Sequence, residues 1–445
     1  MTRTAHHESG HPPWRALLRS FATLAAGESG ARLLGLVAVV VMARRLGPGG
    51  FGVAVLGTTL VGWFKLIMDA GTETLGVRET SRAPNRFRQL TEPILGLRLA
   101  LSLAAAAVLG LTAVAIGETP ADREALLLFA LVLPMIGLNL RFMVLGIGAE
   151  RAVALGNMAS QALLAAGVIL LVRGSGDLSV VPVLVAAAEL LYAGVVMAAV
   201  APRVGFIRPR LDLVVWRSTL RQGLPLGLGG LAGAARYSLS LLLIAVFLPH
   251  RDLGLFGAAY KPVLFFSTLV ALFSVSFLSS YSAAADGAQR ADLIRKTVTL
   301  SAVVTIPAAL VLSAGSSVAT DVLFGESYGG SSLPLAILAW SLPLLALSLP
   351  YGNVLVWADH RTVWMRHLIA GTVASVPAYV IAIPLFGLVG AACTMVASCA
   401  LVLALNYRSA VGLGLVEPLW GPHRAGRAAP RSIPASTPLR SGQSQ

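Results

Sequence analysis

The chain predicts an all-α integral membrane protein of about twelve transmembrane helices in two six-helix bundles, on three observations. Of its 445 residues 56% are hydrophobic and only 12% charged, against the quarter that is usual in soluble domains. Apolar runs of the roughly 20 residues needed to cross a bilayer recur twelve times along it. Basic residues gather in every second connection, as they do when alternate loops face the cytoplasm.

Reading apolar stretches between charged or Pro/Gly-rich breaks places the first six spans near 20–43, 51–74, 94–116, 125–148, 153–172 and 180–201. The second six lie near 222–248, 255–281, 297–324, 333–357, 364–386 and 388–407. These spans consume the chain and leave no room for a soluble catalytic domain. The N-terminal segment 1–19 is polar and carries no short apolar region with a small-residue cleavage site, so the first span is expected to be retained. Residues 408–445, rich in Pro, Ser and Arg, cannot bury a core and read as a disordered tail.

The net charge of +14 resembles that of a nucleic-acid-binding protein, but its distribution accounts for it differently. Twenty-three Lys and Arg fall in the termini and alternate loops, including Arg78, Arg82, Arg86 and Arg88, whereas five lie on the opposite side. Both termini are therefore expected in the cytoplasm, with the spans in the inner (plasma) membrane and no nucleic-acid partner. The basic connection 202–221 separates bundle 20–201 from bundle 222–407. Arg32 precedes Phe51-Gly52 by 19 residues and Arg236 precedes Phe256-Gly257 by 20, each pair bracketing the first turn of its half. With six spans per half, such a duplication is a parallel repeat about the membrane normal.

Ionisable groups at membrane depth cost several kcal/mol each and normally face a bundle interior or a wet cavity. The basic ones are Arg32, Lys65, Arg98, Arg141, Arg236 and Lys261; the acidic ones are Glu28, Asp69, Glu73 and Glu189. Glu28–Arg32 and Lys65–Asp69 share helix faces at i, i+4 and can neutralise each other. Arg98 and Arg141 stand near span ends, where long side chains reach the interface. Arg236 sits mid-span after a glycine-rich run with no acid at helical spacing, and Lys261 precedes Pro262. Arg32, Arg236, Lys261 and Lys65 are thus candidates for a cationic cavity, where the planar arginine fork suits a pyrophosphate.

Catalytic signatures are missing from the sequence: there is no glycine-rich phosphate loop and no large outer loop carrying paired carboxylates. The chain is therefore read as a non-enzyme without a resident cofactor. His6, His7 and His11 read as a solvated terminus, and Cys393 and Cys399 as small packing residues, so no metal site is expected.

Several ordered motifs resemble a known family. They are Ala43-Arg44-Arg45-Leu46-Gly47-Pro48-Gly49-Gly50-Phe51-Gly52, Asp69-Ala70-Gly71 and Val77-Arg78-Glu79-Thr80-Ser81-Arg82 in the first half. The second half adds Leu253-Gly254-Leu255-Phe256-Gly257-Ala258-Ala259-Tyr260-Lys261, Leu323-Phe324-Gly325-Glu326-Ser327-Tyr328 and Ile383-Pro384-Leu385-Phe386-Gly387-Leu388-Val389-Gly390-Ala391-Ala392. Over residues 20–407 the chain is similar to Wzx-type polysaccharide flippases of the MOP superfamily, which also holds the MATE exporters and lipid II flippases. The resemblance implies two bundles in a V-shaped fold that move a polyprenyl-pyrophosphate-linked oligosaccharide from the cytoplasmic to the periplasmic leaflet by alternating access. It further implies contact with membrane lipids and with polymerase or ligase machinery. Coupling to H+ or Na+ is open, with Glu28 and Asp69 as candidate carboxylates. The alternative on the same fold is a cation-coupled multidrug or metabolite exporter.

Overall fold

The computed structural model describes residues 14–416 except 70, 84–85 and 284–286. The chain divides into two compact units, Met1–Leu231 and Ala232–Gln445, and the described residues contain helices and turns but no strand.

The first unit holds α1 (Trp14–Asp69), α2 (Thr72–Arg82), α3 (Phe87–Ile116), α4 (Pro120–Ala130), α5 (Val132–Gly137), α6 (Arg141–Gly146), α7 (Glu150–Leu171), α8 (Val180–Val204) and the beginning of α9 (Leu213–Phe247). At 1.5 Å per residue, α1 would measure roughly 84 Å, more than twice the hydrocarbon thickness. It breaks at Gly47, whose φ of 69° is open to glycine at little cost, and Pro48 starts the second limb. The first limb runs parallel to α7: Gly30 faces Met158 and Gly35 faces Gln161. At its end, Arg45 donates to the carbonyls of Ile169 (2.6 Å) and Val172 (2.5 Å), satisfying orphan acceptors at the C-terminus of α7.

α4, α5 and α6 lie end to end as one interrupted crossing. Thr119 and Asp122 form a capping box, with Pro120 at the first helical position, and Pro134 accompanies the break between α4 and α5. Gly110 faces Leu127 and Gly137 abuts Ser102, so α3 and this broken helix form an antiparallel hairpin. Gly167 against Leu184 and Gly156 against Tyr192 define a second hairpin, α7–α8. Glycine recurs at these contacts because association within lipid depends on close backbone approach and dispersion rather than on escape from water. At the basic end, Phe87, Leu95, Met143, Val144, Val153, Val196 and Ile207 form a continuous buried cluster.

The second unit holds the rest of α9, then α10 (His250–Ala283), α11 (Gly287–Ala314), α12 (Ser316–Phe324), α13 (Ser332–Leu338), α14 (Ser341–Trp357) and α15 (Arg361–Gly412). α15 turns at Gly387, with φ of 56°. A Cβ on Gly390 would lie 2.2 Å from the Ala382 carbonyl oxygen, and Ser398 Oγ donates to Gly371 O at 3.1 Å, so its two limbs fold back as a hairpin.

Among the described residues, eight helical stretches are long and apolar enough to cross a membrane. Two of them, α1 and α15, make two crossings each; the interrupted α4–α6 and the long α9 complete about twelve, matching the expected order. Two boundaries differ from the hydropathy reading. α1 begins at Trp14, inside the segment read as polar, and α15 continues past Arg408 to Gly412. Connection 202–221 is mostly helical, with α8 reaching Val204 and α9 starting at Leu213. Residues 417–445 lie outside the described residues.

Candidate functional site

The first unit contains a partly buried charge cluster that local spacing did not anticipate. Gly71, with φ of 77°, separates α1 from α2 and packs against Gly223 of α9. This turn brings Thr72 and Glu73 back over Asp69, whose Oδ1 accepts from Thr72 Oγ1 and from Glu73 N, both at 3.1 Å. Arg98 of α3 donates from one terminal nitrogen to Asp69 Oδ1 and to Thr72 Oγ1, both at 3.0 Å. Arg98 is only 6% exposed. It does not extend to the interface as its position near the span end predicts, because Asp69 offers a charged partner inside the bundle.

That arrangement also changes the reading of Lys65 and Asp69. Asp69 pairs with Arg98, 29 residues away, instead of with Lys65 one turn earlier. Lys65 is exposed on the second limb of α1 and makes no ion pair among the described residues. Asp69 anchors α2 to α3, a use of the carboxylate that a coupling-ion reading does not require. Arg141 is exposed and Glu189 half-buried.

Arg32 is half-buried on the first limb of α1, next to the buried Ala31. Arg236 falls within α9, but its side chain and that of Glu28 lie outside the described residues. Lys261 is half-buried on α10 between buried Tyr260 and Val263, and makes no hydrogen bond or ion pair among the described residues. Pro262 continues the helix without an N–H, which leaves one backbone carbonyl of the preceding turn unbonded by the usual ladder. Phe51 and Phe256, the two phenylalanines of the internal parallel, are 1% and 0% exposed. Each follows the helix break that ends the first span of its half.

Two further features of the second unit had no linear signal. The first is an apolar groove of about 1070 Å³ between α10, α11, α12 and α14, lined among others by Phe266, Val304, Pro307, Val311 and Leu342. Among the described residues its lining includes no charged side chain, and Thr305 spends its hydroxyl on the Ser301 carbonyl at 2.6 Å. The second is a polar chain joining α14 to both limbs of α15. Asn406, 1% exposed, donates to Ser348 Oγ at 3.1 Å and meets His367 Nδ1 at 2.8 Å, while Ser409 meets His367 Nε2 at 3.1 Å.

Comparison with known proteins agrees with this architecture. The structure of a lipid II flippase, MurJ, in an inward closed conformation superposes with a TM-score of 0.71 at 14% identity, covering 87% of each chain. An inward-facing multidrug resistance MATE family transporter of the MOP superfamily superposes at 0.68, again with 14% identity, over 84% of this chain and 92% of that one. The eukaryotic MATE transporter AtDTX14 gives 0.56 at 11% identity, over 88% and 96%. At such identities these likenesses establish the fold, and the class is a multi-pass membrane protein with the MurJ/MATE-like transporter fold. No curated protein matches the chain in sequence. The family described as "Polysaccharide biosynthesis protein" matches residues 17–278, more than half of the chain, and the protein belongs to that family.

Proposed function

We propose that the protein flips polyprenyl-pyrophosphate-linked oligosaccharides across the inner membrane, from the cytoplasmic to the periplasmic leaflet, by alternating access. The observation that carries the reading is Lys261: a half-buried lysine at membrane depth without an ion-pair partner among the described residues. Such a charge is expensive in a bilayer and is retained where it meets a polar or anionic solute. Arg32 and Arg236 add guanidinium groups suited to pyrophosphate oxygens, and Lys65 stands exposed along the same α1 helix as Arg32. The apolar groove of the second unit offers a surface on which an isoprenoid tail can rest while the sugar crosses through water. Family membership supports polysaccharide assembly as the setting, with a polymerase or ligase taking up the delivered oligosaccharide. Transport draws on H+ or Na+, and both termini lie in the cytoplasm, where the basic loops place them.

The test is to replace the native protein by Lys261→Met or Arg236→Ala in its host and measure how much lipid-linked oligosaccharide is accessible to a periplasmic enzyme. Both variants are expected to accumulate substrate shielded on the cytoplasmic side. Lys261→Met is expected to retain or raise thermal stability, since it removes a half-buried charge that the described residues do not compensate. Normal surface glycan in both variants would refute the assignment. Dye efflux that depends on this protein would favour the MATE-type exporter, the reading supported by the fold likeness to multidrug transporters.

A further inference from the structure

We infer that segment 205–221 of the first unit is a docking site for anionic phospholipid headgroups at the basic face of the membrane. Its backbone is fastened to α3 just before the mainly apolar part of that helix, which begins at Ile94 and carries the single charge Arg98. Arg210 N donates to Glu92 O at 3.0 Å and the Trp216 indole donates to Pro93 O at 2.9 Å, while Gly96 leaves room for the Arg210 carbonyl. The segment is therefore held at the edge of the hydrocarbon layer.

Two classes of side chain project from this fixed backbone without a hydrogen-bond or ion-pair partner among the described residues. Phe206, Leu211, Leu213 and Val214 are 68%, 82%, 75% and 82% exposed, an apolar set that is unfavourable in water and favourable at the headgroup–acyl boundary. Arg208, Arg210, Arg217 and Arg221 are exposed between and beyond them and make no ion pair among the described residues. The one acid in the segment, Asp212, accepts from Val215 N at 3.1 Å and caps the start of α9. Buried Ile207 points the opposite way, into the cluster at the basic end of the unit. The apolar side chains bring the segment into the interface, and the arginines distinguish anionic from zwitterionic headgroups, each contributing up to about a fivefold preference at low salt.

The test uses the full chain with Cys393→Ala and Cys399→Ala, a nitrobenzoxadiazole label on Val214→Cys, and reconstitution into phosphatidylcholine vesicles. Small, equal fractions of nitroxide-bearing phosphatidylglycerol or phosphatidylcholine serve as quenchers. Both are expected to quench, with phosphatidylglycerol about threefold or more the stronger. The ratio of phosphatidylglycerol to phosphatidylcholine quenching should fall toward one at roughly 0.5 M salt and in Arg208→Gln/Arg210→Gln/Arg217→Gln. Quenching by neither lipid would overturn the proposal, placing the segment in water or under another protein surface. Equal quenching in the unsubstituted segment would overturn it too. The salt titration needs no arginine variant, so the result does not depend on the triple substitution folding.

Discussion

Replacing Asp69 by Leu, Arg98 by Leu, and both together separates a structural ion pair from an incidental contact. Asp69→Leu leaves the Arg98 guanidinium, 6% exposed, without its carboxylate. Breaking a buried pair from one side costs about 3–5 kcal/mol, and the lower figure applies because the Asp69 side chain keeps 24% exposure. The same substitution removes the acceptor for Glu73 N, a capping contribution of about 1 kcal/mol. Arg98→Leu is milder, about 1–2 kcal/mol, because Asp69 retains Thr72 and the Glu73 amide. In the double variant neither charge is stranded, so only the capping loss and imperfect packing should remain. The coupling energy from this cycle is expected to be at least about 2 kcal/mol. The measurement is thermal and denaturant unfolding of the purified protein in detergent, with monodispersity checked for each variant. Additivity within about 0.5 kcal/mol would refute the reasoning, since it would mean that the 3.0 Å contact contributes nothing beyond its separate halves.

Gly71→Ala should destabilise by about 3 kcal/mol or more: φ is +77° and the new Cβ would lie 2.0 Å from the Gly223 carbonyl oxygen. A normal yield of monodisperse protein with unchanged unfolding temperature would contradict that packing. Asn406→Leu should cost about 2–3 kcal/mol by leaving His367 and Ser348 without the amide that joins them. Loss confined to the second unit, read by hydrogen exchange in α14 and α15, is the expected signature; unchanged protection there would remove the role assigned to the polar chain.

Much of the architecture was legible because bilayer thickness imposes a length on every apolar run. Twelve apolar runs and alternate basic loops are local properties, and the helices follow the runs. The turns at Gly47 and Gly387 could be placed from Gly and Pro beside charged or apolar breaks, although their positive φ values belong to the folded backbone. Candidate charges were legible as types but not as partners. Lys65 and Asp69 satisfy the i, i+4 rule, yet a lysine on an exposed helix face gains little from the pair, while Arg98 inside the bundle has to be neutralised. That choice depends on how α1 and α3 are rotated against each other, which no local periodicity encodes.

The chain's own composition thus determined a multi-span helical membrane protein and which charges would be costly within it, since both follow from transfer free energies of individual residues. Tertiary structure alone decided that Asp69 serves Arg98, that His367, Asn406 and Ser348 meet across three helical segments, and that α10, α11, α12 and α14 leave an apolar groove. These depend on contacts between residues tens of positions apart, and in lipid such contacts are selected by close packing and polar satisfaction.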